Sequence, residues 1–191
     1  EATGQLTLLT QRGADARAQI ATGTLDLSDV RSGDSIAVNG VCLTVVALDA
    51  GGFQADLSAE TLQRTTFSTL APGSVLNLEK SVTPVTRLGG HLVSGHVDGT
   101  ATLLARETIG RSLRLSLKAP DALAKYIAEK GSICVDGVSL TVNAVHGSVF
   151  EVNLVPHTLQ ATTLDTLAVG DSANIEVDMI ARYLERLNTC R

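Results

Sequence analysis

The chain has 191 residues, with 15 Lys and Arg against 20 Asp and Glu, which gives a formal net charge of −5. This balance argues against a nucleic-acid-binding protein, which needs clustered Lys and Arg, and the apolar runs are too short to span a membrane. Hydrophobic residues make up 44% of the chain, which is enough for a packed core and argues against disorder.

The chain contains an internal repeat with an offset of 97 residues. Residues 35–81 aligned on 132–178 give 22 identities in 47 pairs, and the match includes SIAVNGVCLTV at 35–45 against SICVDGVSLTV at 132–142. Residues 1–34 align at the same offset more weakly. Two copies indicate a duplicated domain, because a solenoid needs at least about three.

Each copy has the pattern of short β-strands. Segments of this type occupy 5–10, 17–21, 53–57 and 75–79 in the first copy, and 102–105, 112–118, 149–154 and 173–177 in the second. Asn39-Gly40 and Asp136-Gly137 favour two-residue hairpin turns, because both turn positions need a positive φ. Frequent turns between short strands predict an all-β protein in which a small six-stranded Greek-key closed barrel is duplicated in tandem.

Two segments outside the strands have helical spacing. Residues 121–130 predict a short helix, and residues 179–190 predict a C-terminal helix with one apolar stripe. The stripe consists of Met179, Ile180, Tyr183, Leu184 and Leu187, and it is better suited to packing on a partner subunit than on a ligand. We therefore predict barrels at 1–88 and 89–178 and an oligomerisation helix at 179–191, with 82–97 as the connection.

Alternation along the strand after each hairpin turn separates core residues from candidate ligand contacts. Aliphatic side chains fill a small barrel, so Val41, Leu43 and Val45 are predicted to point inward. The outward positions are then Cys42 and Thr44 in the first copy, and Ser139 and Thr141 in the second. In one copy alone, ordinary exposed polar residues would be an equally good interpretation. However, the polar pair recurs at the same place in both copies, and in the first copy it includes a thiol, which is rare on a merely solvated face. These two observations favour two equivalent ligand grooves.

Residues 89–96, GGHLVSGH, form the other dense cluster. Glycines permit close backbone approach to a ligand and histidines titrate near neutral pH, yet the segment also fits a glycine-rich linker with incidental histidines. No Cys/His spacing completes a zinc site, so no metal is expected. Sparse, separated cysteines predict a reduced, cytoplasmic protein.

Four single residues outside these motifs have simpler interpretations. We expect His146 to lie at the surface and His157 to line a site. Asp178 ends the last strand, where it could orient a ligand or cap the following helix. Cys134 is expected in the core, and Cys190 is given no role.

Three ordered motifs, NGVCLTV at 39–45, GGHLVSGHVDG at 89–99 and DGVSLTV at 136–142, resemble the riboflavin synthase family. The resemblance covers the full length, including the duplication, the connection and the terminal helix. It implies an enzyme, a transferase that makes riboflavin in the last step of its biosynthesis by dismutation of two molecules of 6,7-dimethyl-8-ribityllumazine, with 5-amino-6-ribitylamino-pyrimidinedione as the second product. No cofactor is implied. The alternative is a non-catalytic lumazine- or flavin-binding protein of the same family.

The resemblance also implies roles for individual residues. Catalytic roles fall to His96, Ser139, Cys42, Asp178 and Thr141, with His96 as the proton-handling group of the second site. First-barrel ligand contacts are Cys42, Leu43, Thr44, Asp56, Leu57, Ser58, Ala59, Glu60 and Thr61. The connection adds Gly95, His96 and Val97. Second-barrel contacts are Lys130, Ser139, Leu140, Thr141, Leu154, Val155, Pro156, His157, Thr158 and Leu159.

Two further expectations follow from the resemblance. The family is trimeric through its terminal helices, and each active centre joins the first barrel of one subunit to the second barrel of a neighbour and holds two lumazine molecules. Family members begin with Met-Phe-Thr-Gly and an aliphatic pair that line the first site. The repeat partner of residues 94–97 would precede Glu1, so either about six residues come before Glu1 or the first site is incomplete.

Overall fold

The computed structural model describes residues 1–189 and shows two closed β-barrels followed by a helix. The first barrel contains β1 (Ala2–Arg12), β2 (Asp15–Ala21), β3 (Ser35–Val38), β4 (Val41–Asp49), β5 (Gly52–Leu57) and β6 (Val75–Lys80). The second contains β7 (Gly99–Ile109), β8 (Ser112–Lys118), β9 (Ser132–Val135), β10 (Val138–His146), β11 (Val149–Leu154) and β12 (Ser172–Val177). The α-helices are α1 (Ala59–Arg64), α2 (Pro156–Ala161) and α3 (Met179–Thr189).

Both barrels have the same antiparallel topology. The strand order is β1-β2-β5-β4-β3-β6 in the first and β7-β8-β11-β10-β9-β12 in the second, and each closes because its first strand pairs with its last. The pairing shifts register between Leu6 and Leu8 and again, 97 residues later, between Leu103 and Ala105. Such bulges increase the local strand twist that a small barrel needs. The predicted all-β duplication is confirmed.

Each barrel has its own hydrophobic core, built from repeat-related side chains. Fully buried pairs 97 residues apart are Leu6 and Leu103, Ile20 and Leu117, and Phe53 and Phe150. Aliphatic residues fill each interior together with Phe53 and Phe67 in the first barrel and Phe150 in the second, so side chains occupy the space inside each barrel. Ligands must therefore bind outside the barrels.

The hairpin turns of the two copies meet at the barrel interface. Asn39 and Gly40 have φ of 44° and 76°, and Asp136 and Gly137 have 45° and 83°, as the predicted turns require. A Cβ atom on Gly40 would lie 2.7 Å from the backbone nitrogen of Gly137. The two turns can pack this closely because both carry glycine.

A buried polar network joins the barrels around these turns. Asn77 of β6 accepts a hydrogen bond from the N–H of Thr163 at 2.8 Å and donates one to the C=O of Asp136 at 2.9 Å. Asn174 of β12 makes the repeat-related bonds into the first barrel at 2.8 and 2.9 Å. Both asparagines are buried, so the network satisfies polar groups that would otherwise be costly to remove from water.

Some element bounds differ from the predictions. The short helix predicted at 121–130 is a 3₁₀ helix over Asp121–Tyr126, and the chain leaves helical geometry at Ile127, whose side chain is buried. The predicted strand at 5–10 extends over Ala2–Arg12, because β6 pairs with its first residues and its hairpin partner β2 pairs with it as far as Arg12. The terminal helix is confirmed as α3, and Cys190 and Arg191 lie outside the described residues. None of the helices within residues 1–189 has the length and apolar character that a membrane span requires.

Candidate functional site

The outward positions of the strands that follow the two hairpin turns are accessible, as predicted. Cys42, Thr44 and Thr141 are exposed and Ser139 is half-buried. On the opposite face, the predicted inward residues Val41, Leu43 and Val45 are at most 5% exposed. The same strand position therefore presents a thiol in the first barrel and a hydroxyl in the second.

Cys42 and Ser139 both line one cavity, which we call the interbarrel cavity. Its volume is about 350 Å³, within the range of small-molecule sites, and the connection at 86–95 covers it. Cys42 comes from β4 of the first barrel and Ser139 from β10 of the second. The structure thus brings the two repeat-related positions to one cavity in a single chain.

His91 of the connection is hydrogen-bonded to Ser139. The Ser139 Oγ atom lies 2.7 Å from His91 Nδ1 and accepts the backbone N–H of His91 at 3.3 Å. This approach needs Gly90, since a Cβ atom there would lie 2.3 Å from Ser139 Oγ. The Nε2 atom of His91 is buried and has no hydrogen-bond partner within residues 1–189.

Burial lowers the pKa of His91, and the negative charges of Asp178 and Glu176 oppose that shift in part. The imidazole is therefore neutral near pH 7 and can accept a proton. A neutral imidazole bonded to a serine hydroxyl is an arrangement that general acid–base chemistry uses. His91 belongs to the motif GGHLVSGH, but nothing in the sequence distinguishes it from an incidental histidine of a linker.

His96 lines a second cavity. Within the chain it lines a cavity of about 390 Å³ together with Cys42, Glu60 and Thr61 of the first barrel. The assignment of His96 to the second site stays a prediction. Cys42 and Gly95 line both cavities, so the two cavities adjoin at these residues.

Several predicted first-barrel contacts are engaged within the protein. Asp56 forms a bidentate ion pair with Arg17, with both N–O distances at 2.7 Å, and the hydrogen bonds from Arg17 lower the pKa of Asp56. Ser58 caps α1 by accepting the N–H of Thr61. The side chains of Leu57 and Leu43 belong to the core, so either residue would reach a ligand through its backbone.

Most of the remaining predicted second-barrel contacts lie at the start of α2. Leu140 and Leu154 are core residues, and Val155 precedes the helix that begins at Pro156. His157 is exposed, as is Lys130 in the loop before β9, where its φ is 64°. The two cavities next to Cys42 are not lined by these two residues. They are also not lined by the predicted contacts on α2, Thr158 and Leu159.

Asp178 caps α3, the alternative that the sequence analysis left open. Its Oδ1 atom accepts the N–H of Ile180 at 2.9 Å. Cys134 is 1% exposed, as expected, and burial raises the pKa of its thiol, which makes it unreactive. His146 is exposed, as expected. In residues 1–189 no three His, Cys, Asp or Glu side chains come together as metal ligands.

Comparisons with known proteins agree with the duplicated architecture. The lumazine-binding domain family matches residues 1–81 and again 94–178. The riboflavin synthase of Photobacterium phosphoreum is 51% identical over 187 residues, covering 98% of this chain and 86% of the relative. The riboflavin synthase of Mycobacterium bovis is 46% identical over 191 residues, covering 98% of this chain and 92% of the relative.

Solved structures show the same fold with ligands bound. A crystal structure of LumP complexed with 6,7-dimethyl-8-(1'-D-ribityl) lumazine is 25% identical, has a TM-score of 0.84, and covers 93% of this chain and 96% of that one. LumP complexed with riboflavin is 27% identical with a TM-score of 0.84, covering 92% and 95%. With two matched domains and relatives at this identity over nearly its whole length, the chain belongs to the riboflavin synthase family of lumazine-binding proteins.

Proposed function

We propose that the protein is a riboflavin synthase, which converts two molecules of 6,7-dimethyl-8-ribityllumazine into riboflavin and 5-amino-6-ribitylamino-pyrimidinedione. The observation that carries the proposal is the duplication of the lumazine-binding barrel, in which the two copies present Cys42 and Ser139 at repeat-related strand positions. A reaction between two identical molecules needs two similar binding surfaces, and the duplication supplies them.

The proposed reaction transfers a four-carbon unit from one lumazine to the other. What one molecule loses the other gains, so the step needs no external oxidant or reductant. A proton must leave the C7 methyl group of one lumazine, and the electron pair of the broken C–H bond is delocalised into the lumazine ring. We assign this proton to the His91–Ser139 pair: the Ser139 hydroxyl takes it up and passes its own proton to His91 Nδ1, 2.7 Å away.

The remaining contribution is orientation of the two reactants. In our proposal one lumazine lies at Cys42 and Thr44 and the other at Ser139 and Thr141, one on each barrel. Holding two reactants in register supplies about 7–11 kcal/mol of barrier reduction. We keep the assignment of His96 to the second site, and within the chain it also lies beside Cys42. We also propose that the other predicted contact residues bind the lumazine molecules and that Asp178 has a catalytic role.

We expect the purified chain, incubated with 6,7-dimethyl-8-ribityllumazine and no added cofactor, to form riboflavin and the pyrimidinedione in equal amounts. Flavin absorbance follows one product and chromatography the other. Binding of the lumazine without flavin formation would contradict the proposal and support a carrier of the LumP type. Absence of binding would contradict both.

We further propose a homotrimer in which each centre joins the first barrel of one subunit to the second barrel of a neighbour. The support is the apolar stripe of α3, where Tyr183, Leu184 and Leu187 are 65%, 56% and 68% exposed. We also propose domain limits at 88/89 and 178/179. We further propose a cytoplasmic location, in which the free thiols Cys42 and Cys134 stay reduced.

Light scattering is expected to give a mass near three times the 19.9 kDa of one chain. Leu184→Glu combined with Leu187→Glu is expected to shift that mass to one chain, because charges cannot be buried unpaired in an apolar contact. Val169→Glu is the control, since Val169 is 60% exposed but lies in the turn before β12. A monomeric wild-type protein would refute the trimer.

A further inference from the structure

We infer that Glu176 is a positioning residue that holds the loop 94–96 between the two barrels and thereby places His96 and Cys42 for the reaction. The inference rests on the proposed function. Glu176 lies on β12 of the second barrel and is 2% exposed. Its role was not evident from the sequence, because glutamate is common and its partners lie about 80 residues away.

The carboxylate of Glu176 binds three consecutive backbone N–H groups. Its Oε1 atom accepts the N–H of Ser94 at 2.8 Å, and its Oε2 atom accepts those of Gly95 at 2.9 Å and His96 at 3.1 Å. Successive N–H groups converge in this way only where the chain bends sharply, and Gly95 has a φ of 75°. The loop therefore has its shape because one buried carboxylate fills its concave side.

The same loop is bonded to the first barrel on its other side. The C=O of Gly95 accepts the backbone N–H of Cys42 at 2.8 Å. A Cβ atom on Gly95 would lie 2.7 Å from Cys42 Cβ, so the contact is as close as the chain permits. Hydrogen bonds thus connect Glu176 of the second barrel to Gly95, and Gly95 to Cys42 of the first barrel.

The hydrogen bonds of the Glu176 side chain serve the loop and not the barrel wall. β12 pairs with β7 and β9 through backbone groups, which do not involve the Glu176 carboxylate. The three N–H groups that the carboxylate accepts all belong to residues 94–96.

The test is Glu176→Gln, which keeps the side-chain volume. An amide has one acceptor oxygen, so its NH₂ group must face at least one of the three N–H donors. A hydrogen bond to a charged group contributes about 1.5–3 kcal/mol, which corresponds to about tenfold or more in rate. We expect kcat for riboflavin formation to fall about tenfold or more while KM changes less than about threefold.

Amide hydrogen exchange gives a readout that does not depend on activity. In Glu176→Gln, exchange at Ser94, Gly95 and His96 is expected to rise about tenfold or more, while exchange within the β10–β11 pairing stays as in the wild type. Asp171→Asn is the matched control, because the Asp171 carboxylate accepts the N–H of Ala168 in the same barrel at a turn away from the loop. The control should keep the wild-type kcat.

Either of two results would overturn the inference. One is wild-type kcat and wild-type loop exchange in Glu176→Gln. The other is faster exchange throughout the second barrel, which would make Glu176 a general stability residue. A wild-type protein that forms no riboflavin would refute the proposed function, and the loop exchange would still decide whether Glu176 holds residues 94–96.

Discussion

Ser139→Ala is expected to lower kcat for riboflavin formation by a factor of about 100 to 10,000, the range in which general acid–base catalysis contributes. The Ser139 hydroxyl lies 2.7 Å from His91 Nδ1, so it can pass a proton to the imidazole. His91→Gln should cause a loss of similar size, and the double variant should lose little more than either single one, because the two side chains act as a unit.

The pH dependence separates this role from simple binding. Burial lowers the pKa of His91 below its usual 6.5, so the neutral form prevails at pH 7 and is lost only at more acidic pH. The acid limb of the kcat profile should therefore lie below pH 6.5 in the wild type and be absent from His91→Gln. Ser116→Ala, at a half-buried hydroxyl of β8 in the same barrel, is the control. Normal turnover in Ser139→Ala would remove the pair from the mechanism.

The second large effect concerns the buried carboxyl group of Asp136, at the turn where the barrels meet. Asp136 is 4% exposed, and burial raises its pKa to about 7, although the N–H of Asn174 opposes the shift. Because the folded state binds this proton more tightly than the unfolded chain does, the free energy of unfolding falls as pH rises from about 4 to about 7. Asp136→Asn should therefore raise the free energy of unfolding by about 2–4 kcal/mol at pH 8 and by little at pH 4.

The first barrel carries the matching residue and supplies the reverse experiment. Asn39 has a φ of 44°, against 45° for Asp136, and its Oδ1 atom accepts the N–H of Asn77 at 2.7 Å, as Asp136 accepts that of Asn174. An asparagine therefore fits this turn. Asn39→Asp should lose stability at pH 8 and regain it near pH 5, as followed by denaturant unfolding. Parallel pH–stability curves for the wild type and Asp136→Asn would contradict this account.

The barrels could be predicted because their signals are local. Asn39-Gly40 and Asp136-Gly137 determine two hairpins through the positive φ that such turns require, and the alternation that follows places valine and leucine inward. Because the repeat contains the same turn and the same alternation a second time, the second barrel is predicted in the same way as the first. The length of the helix expected at 121–130 depended on a tertiary contact instead. Its apolar residues have helical spacing, but Ile127 is buried in the core, and the segment ends there as a short 3₁₀ helix.

The candidate site was predictable only in part. Cys42 and Ser139 followed from strand alternation, and the structure places both on one cavity. His91 could not be assigned, because it lies 48 residues from Ser139 and the contact depends on the path of a connection without regular structure. His96, in the same motif, lies instead beside Cys42.

By itself the amino-acid sequence determined the duplication, the hairpins, the inward and outward faces of the strands and the terminal helix, since each depends on residues close together along the chain. The tertiary structure alone decided how the two barrels meet. The turns carrying Gly40 and Gly137 pack against each other, and Glu176 reaches a loop about 80 residues earlier in the chain. Such contacts join groups that are distant in sequence, and no local pattern specifies which donor a buried carboxylate or asparagine will meet.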